Sequence, residues 1–494
     1  MSAAQLPWIV PVPVRRSDFT PLRPADAACN VEVELGRIGA FAHRRRPLPE
    51  HALLFADLQL NPDVNANRRF GSGRAGVHAG RYVKGVGRTL LAGNWNDPDD
   101  LYHNSGLQLA SAGVRELLVS EYLRREGLGR VIVPCEGLLA RRLPPAFRGH
   151  LRSMFGPRKV DHRGLDARLQ TITHKPAGFA RLSNFVWWLG AFPQQLAGGS
   201  AFGRLFELFA AAVAAPGAAA GPSPGPDEIA EGFARAVQRG VDGFFAAWRA
   251  GVSWGSVSNN FTADGRFLDL ETPAVLGGPF VGTQRNALEI DGPPPERVRP
   301  NQRGHFFGLE VVRYVKQATT FARFLIARLQ FLTSLGWAAP VEAQFVARFN
   351  ERLVWHLRST CPLLRPRAMI GRIADELAAT LAAAGGERRL LRCMVHHAFA
   401  GPAFLAQPRG PAGLDAYRAC SFVRLDAGDI TPIEPGFRLL LYVPEFLRER
   451  VQPHRERAQR FHDALASLQR SADLDDCLAR LDAAVAGLRR PPAA

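Results

Sequence analysis

The sequence predicts an α+β protein built as two lobes, the first rich in strands and the second mainly helical with a helical C-terminal extension. Three observations predict it. Residues 65–140 read as short strand-like pieces broken by glycines, with a single helical stretch around 106–126. From residue 182 to 213 apolar and aromatic side chains recur at helical spacing, among them Phe185, Trp188, Phe206 and Phe209. The same spacing returns at Phe321, Phe324, Leu325, Leu329 and Leu332, and these side chains read as core. Between the two regions Asn260 and Asp269 stand nine residues apart, across the turn-forming Ala263-Asp264-Gly265.

In chain order, residues 1–60 are Pro- and Arg-rich with short apolar pieces and read as an irregular N-terminal arm. Residues 61–172 form the first lobe. It holds Gly71-Ser72-Gly73-Arg74-Ala75, then a strand over Arg81-Tyr82-Val83-Lys84 running into Gly85-Val86-Gly87-Arg88-Thr89. A helix around Glu116 and the strand-like Val131-Ile132-Val133 follow, and 141–172 is a basic, insertion-like stretch. Residues 173–494 form the helical second lobe and extension. The low-complexity stretch 214–227 reads as a loop inserted in that lobe, and 228–250 as a helix leading into a loop near 254–271. Further helices are expected over 306–336, 340–357, 370–384 and 453–488, with a late hairpin over 420–443. No repeat at a solenoid period is present.

Composition bounds the function classes. A chain of 494 residues holds roughly three domain-sized units and can bury a sizeable core. No uninterrupted apolar run of membrane-spanning length occurs, so no membrane partner is expected. The apolar stretch at the start is broken by prolines and carries its charges after it, the wrong polarity for a secretory signal, which predicts a cytoplasmic protein. Six scattered cysteines without a C-x-x-C read as reduced thiols. His396-His397 point in different directions on a helix and do not make a metal site with Cys393.

A formal charge of +17 raises nucleic-acid binding as a class. The arginines are spread along the whole chain, however, and the dense spots at 44–46 and 448–460 bring no zinc finger, RRM or helix-turn-helix signature. Nucleic acid is not expected as a partner.

The chemistry-bearing residues follow one order. An Asn amide oxygen and an Asp carboxylate are hard ligands suited to Mg²⁺, which binds through one or two carboxylates plus substrate phosphates. A lysine on a strand (Lys84), a glutamate on the next helix (Glu116), then Asn260 and Asp269: protein-kinase-like folds supply their ATP site in this order.

The motifs resemble those of the selenoprotein O family, protein adenylyltransferases with a pseudokinase fold. GSGRA before VKGVGRT is similar to that family's Gly-Asp-Gly-Arg-Ala before Leu-Lys-Gly-Ala-Gly-x-Thr. AGVRELLVSEY matches its Arg-Glu helix, THKPAGFARLSNF (173–185) its segment with two arginines, and VSNN followed by LDLETP its metal-binding Asn and Asp, with the same interval. The resemblance covers roughly residues 65–275.

It implies a protein-kinase-like two-lobed fold that binds ATP with Mg²⁺ or Mn²⁺ and transfers AMP to a protein or peptide hydroxyl. It implies that Lys84 holds phosphates together with Gly85, Gly87 and Arg88, and that Glu116 pairs with Lys84. Arg181 would be the second phosphate-binding arginine of the family, with the first falling at His174 or Lys175. Asn260 and Asp269 would bind the metal.

The chain departs from the pattern at several places. Asn259 stands where the family has the Asp beside its metal-binding Asn, and a carboxamide cannot accept a proton as a general base. Asn104-Ser105-Gly106-Leu107-Gln108 replaces a second Gly-Asp-Gly-Arg-Ala, and Trp254-Gly255 a His-Gly. The C-terminal redox cysteine or selenocysteine has no counterpart. Three other functions stay open: a kinase-like enzyme that modifies or activates a small molecule or peptide in a biosynthetic pathway, a catalytically impaired nucleotide-binding scaffold, and a basic binding protein without nucleotide.

Overall fold

The computed structural model describes residues 8–23, 26–34, 49–59, 73–89, 106–143, 165–185, 260–271, 273–275 and 455–489. It also describes residue 6, 70–71, 91–92, 252–253 and separate positions between 207 and 250. The elements expected over 214–227, 306–336, 340–357, 370–384 and 420–443 lie outside the described residues, as do Trp188, Phe206 and Asn259.

The described chain is α+β. Ten strands make one antiparallel sheet: β1 (Ile9–Arg16), β2 (Thr20–Pro21), β3 (Val31–Val33), β4 (Leu53–Gln59), β5 (Phe70–Gly71), β6 (Ala75–His78), β7 (Arg81–Lys84), β8 (Gln108–Leu109), β9 (Gly137–Arg142) and β10 (Leu169–Pro176). Their order is β2-β9-β10-β7-β6-β4-β1-β3, with β5 on β4 and β8 on β10. A two-stranded ribbon joins β11 (Val252–Ser253) to β12 (Ala274–Val275). The helices described from end to end are α1 (Ala110–Arg125), α2 (Arg455–Gln469) and α3 (Leu474–Arg489).

The part of the expected arm that is described is sheet, not irregular chain. β1 pairs with β4 through Ile9–Pro13 and with β3 through Val14–Arg16. Its prolines do not break the ladder, because Pro11 and Pro13 share one parity. The Pro13 carbonyl accepts from the Glu34 amide on the β3 side, while that of Trp8, of the other parity, accepts from Leu58 in β4. The missing N–H groups therefore face away from β4, where a strand tolerates proline. Val12 and Val14 are fully or nearly buried and join Val31, Val33, Leu54, Ala56, Val83, Leu139 and Ile172 in one core on that face of the sheet.

β6 and β7 form a tight hairpin. Ala79 and Gly80 both take positive φ (47° and 72°), the two-residue turn whose twist suits antiparallel strands.

α1 crosses the opposite face of the sheet. No side chain caps it from its own Leu109; instead Asp166 reaches across, accepting from the Ser111 amide at 2.8 Å and hydroxyl at 2.6 Å. Gly113 lets α1 lie close on β10, since a Cβ there would meet Thr171 Oγ1 at 2.2 Å.

The helix expected over 453–488 is two helices. Asp473 starts α3 as its N-cap, accepting from the Asp476 amide at 2.9 Å, and Asp476 accepts in turn from the Ala472 amide at 2.8 Å. The described positions between 232 and 247 are all helical, as the sequence predicts for 228–250. Trp8, Phe185, Phe209 and Phe233 stack edge to face, with ring centroids 4.8, 5.1 and 5.2 Å apart in turn. Phe185 and Phe209 are thus core aromatics. Cys29, Cys135 and Cys477 are buried free thiols, and burial pushes the Cys29 thiol up to about 12.

Candidate functional site

The site is set by the register of β7 and β10. Thr173 pairs with Lys84 and Lys175 with Tyr82, so alternation puts all four side chains on the face that α1 covers. Ile172 and Val83 point the other way, into the apolar core. One face of the sheet is thus greasy and the other carries two buried lysines.

The third piece is a hairpin 176 residues or more along the chain from Lys84. Phe261 bridges Phe267, and the Leu268 amide donates to the Asn260 carbonyl at 2.8 Å. The Thr262 hydroxyl bonds the Asp264 carboxylate across the turn, and Gly265 takes φ 85°. This is the turn expected between Asn260 and Asp269. Two contacts lock it to the lobe. Arg181 bridges Thr262, and Ile132 runs parallel to Phe267, with Val133 N donating to the Phe267 carbonyl at 2.8 Å.

An ion cluster closes where these pieces meet. Lys84 Nζ lies 2.5 Å from Asp269 Oδ1 and 3.1 Å from Glu271 Oε1. Arg74 holds the same Glu271 oxygen at 2.8 Å and the Leu107 carbonyl at 2.9 Å. Lys175 is ion-paired with Glu116 and sits 4.0 Å from Asp269 Oδ1. Gln108 Nε2 donates to both Glu116 and Glu271 at 3.2 Å, and Thr173 Oγ1 donates to Glu116 at 3.0 Å. Arg181 donates to the Tyr82 hydroxyl at 3.1 Å and to Asn260 Oδ1 at 3.5 Å. Asp57 lies 3.9 Å from its Nε.

The electrostatics keep Lys84, Asp269 and Glu271 ionised. Burial works against the Lys84 ammonium, but the carboxylates of Asp269, Glu116 and Glu271 outweigh it and leave its pKa above the ordinary lysine value. Burial likewise opposes the Asp269 carboxylate, and Lys84, Lys175 and Arg181 together overcome it, so its pKa falls well below the usual range. Glu271 is lowered to about 2 against burial by Lys84 and Arg74. Burial raises the Tyr82 hydroxyl to about 12, so it stays neutral while it accepts from Arg181. The Asp269 side chain is 21% exposed and the Lys175 and Glu116 side chains 1% and 0%, which puts Asp269 at the open side of the cluster.

Asp269 also takes φ 55°, a left-handed conformation uncommon for a residue with a side chain and often found at functional positions.

The structure therefore brings Lys84, Glu116, Lys175, Arg181, Asn260 and Asp269 together, with one change of partner. Glu116 is ion-paired with Lys175, not with Lys84. α1 lies against β10, so the strand that carries Lys175 is the one beneath Glu116, while Lys84 is taken by Asp269 and Glu271. Gly85 and Gly87 follow β7 with φ 93° and 100°, and a Cβ on Gly85 would meet the Thr171 carbonyl at 2.5 Å. Both shape the turn that ends β7. Arg88 comes next, its backbone packed against Gly106.

Glu271, Arg74, Gln108, Tyr82 and Asp57 are site residues that sequence reasoning missed. The sequence did place Glu271 two residues after Asp269, but the left-handed backbone at Asp269 and the turn at 270–271, not strand alternation, bring both carboxylates to Lys84.

Asn260 and Asp269 are the residues that could hold a hydrated Mg²⁺. Asn260 Oδ1 and the Asp269 carboxylate are hard oxygens at the ends of one hairpin, already engaged by cations, and an ion of this type needs few protein ligands when phosphates supply the rest. Among the described residues no group of three or more His, Cys, Asp or Glu converges as a metal site. No described helix is long and apolar enough to cross a membrane.

No protein-family model matches the chain, and no curated protein matches it.

Proposed function

We propose that this chain is a protein-kinase-like, ATP-dependent transferase of the selenoprotein O type, which moves AMP from ATP to a protein or peptide hydroxyl. The observation that carries the proposal is the Lys84–Asp269 ion pair across 185 residues, with Lys175 4.0 Å from the same oxygen and the Arg181 charge also helping to keep that carboxylate ionised. Three cations around one partly exposed acid make a site in which an anion of several charges can replace carboxylate contacts. The phosphates of ATP are such an anion.

In this proposal Lys84, Lys175 and Arg181 hold phosphate oxygens, and Asn260 with Asp269 holds Mg²⁺ or Mn²⁺. The metal supplies charge neutralisation on the phosphates and fixes their geometry. The resemblance leaves the first phosphate-binding position open between His174 and Lys175; in this proposal it falls to Lys175, supported by the side chain's place on the cluster face, with His174 on the other. The acceptor oxygen forms a bond to the α-phosphorus as the bond to pyrophosphate breaks, and the hydroxyl proton leaves to solvent or to pyrophosphate. Asn259 takes no proton, so positioning and charge stabilisation carry the rate.

The test is transfer from ATP labelled at the α- or the γ-phosphate, followed by mass spectrometry of the products with wild type and Asp269→Ala. An AMP increment in wild type that is lost in Asp269→Ala is expected. Label from γ only would replace the proposal by a kinase, and an AMP increment unchanged in Asp269→Ala would remove Asp269 from the metal site.

A further inference from the structure

The two C-terminal helices grip the outward side of the helix that carries Glu116. On α1 and its C-cap, Arg115, Tyr122 and Glu126 recur at spacings of seven and four, a single helical stripe roughly 100° round the helix from Glu116. Each member of that stripe meets α2. The Phe461 ring, fully buried, stands edge-on to Tyr122 at 6.0 Å, and the Arg115 guanidinium lies 5.7 Å from its centre. Arg457 is ion-paired with Glu126 at 2.8 Å.

The other end of α1 is tied in as well. Asp166 caps its first turn, and Arg168, two residues on, donates to the Ser471 carbonyl in the turn between α2 and α3 at 2.5 Å.

The same stripe reaches into the site's own backbone. Arg115 donates to the Pro273 carbonyl at 2.5 Å, four residues beyond Asp269. Tyr122 donates to the Ala250 carbonyl at 2.9 Å, at the end of the helical stretch that leads towards the hairpin. A shift of α1 therefore moves Glu116, and with it Lys175, while pulling on the chain just past Glu271.

We propose that the C-terminal helical pair is a positioning element for the site: Arg457 and Phe461 set α1 against the ion cluster, and Arg115 relays that setting to the segment of Asp269 and Glu271. The consequence for ATP rests on the nucleotide proposal above; the mechanical coupling does not.

The test uses the full chain with Arg457→Glu, the charge exchange Arg457→Glu/Glu126→Arg, and Phe461→Leu. It reads ATP·Mg²⁺ affinity by calorimetry and amide hydrogen exchange by mass spectrometry. Arg457→Glu is expected to weaken ATP·Mg²⁺ about tenfold and to speed exchange in α1 and in 267–275, and the exchange of charges to restore both to within about threefold. Exchange in β1 and β4 should stay unchanged, which a purely structural loss would not allow. Wild-type affinity and exchange in Arg457→Glu, or no recovery in the double variant, would overturn the proposal. If wild type binds no ATP, the nucleotide proposal falls and the exchange pattern alone decides this one. If Arg457→Glu does not fold, Phe461→Leu decides: faster exchange in 267–275 upholds the coupling, and an unchanged pattern ends it.

Discussion

Lys175→Met isolates the most deeply buried ion pair among the described residues. Lys175 and Glu116 have side chains 1% and 0% exposed, and Glu116 keeps only the neutral donors Thr173 and Gln108 once the ammonium is gone. Lys84 does not take its place without giving up Asp269 and Glu271. Breaking a buried pair by removing one partner strands a charge and costs about 3–5 kcal/mol, whereas replacing both partners together is close to neutral.

The double variant Glu116→Gln/Lys175→Met keeps an amide oxygen for Thr173 and Gln108 and should return to within about 1.5 kcal/mol of wild type. Urea unfolding followed by tryptophan fluorescence, with buried Trp8 as a reporter, measures both. A single variant within about 1 kcal/mol of wild type, or a double variant as damaged as the single, would refute the assignment of Lys175 as the partner of Glu116. ATP·Mg²⁺ binding should be lost in both variants, because the recovered stability does not restore the phosphate-facing cation.

Two further outcomes are expected. Gly113→Ala gains about 1 kcal/mol of helix propensity but drives a methyl into Thr171, and overpacking of about 1–3 kcal/mol wins, so the melting temperature should fall; a rise would mean that α1 does not lie this close to β10. His174 is buried with no hydrogen-bond partner on either ring nitrogen among the described residues, and burial holds its pKa below 6.5 in the fold. The folded state thus favours the neutral ring: its contribution is intact above pH 6.5 and is lost as pH falls below that value. His174→Gln should flatten this part of the pH–stability curve measured by thermal melting, and an unchanged slope would refute it.

The α+β class and the local pieces were legible because each rests on near neighbours in sequence. The turn at Ala263-Asp264-Gly265 and the α1 periodicity around Glu116 are of this kind. The arm was misjudged because Pro11 and Pro13 read as breakers; whether a missing N–H matters depends on which side of β1 has a partner, and β4 lies some 40 residues on. The six site residues that meet were each marked by type, yet the pairing of Glu116 was not. It follows from which strand lies under α1.

Asn260 and Asp269 show the same division at its sharpest. Spacing alone determined that a hard amide oxygen and a carboxylate flank one turn, as it did the alternation that separates Lys84 and Lys175 from Val83 and Ile172. The tertiary structure alone decided that Lys84, Lys175 and Arg181 converge on Asp269, that Glu271 and Arg74 complete the cluster, and that the C-terminal helices hold α1 from behind. Periodicity is a property of one segment, whereas an ion pair across 185 residues exists only once burial has removed the water that would otherwise keep its partners apart.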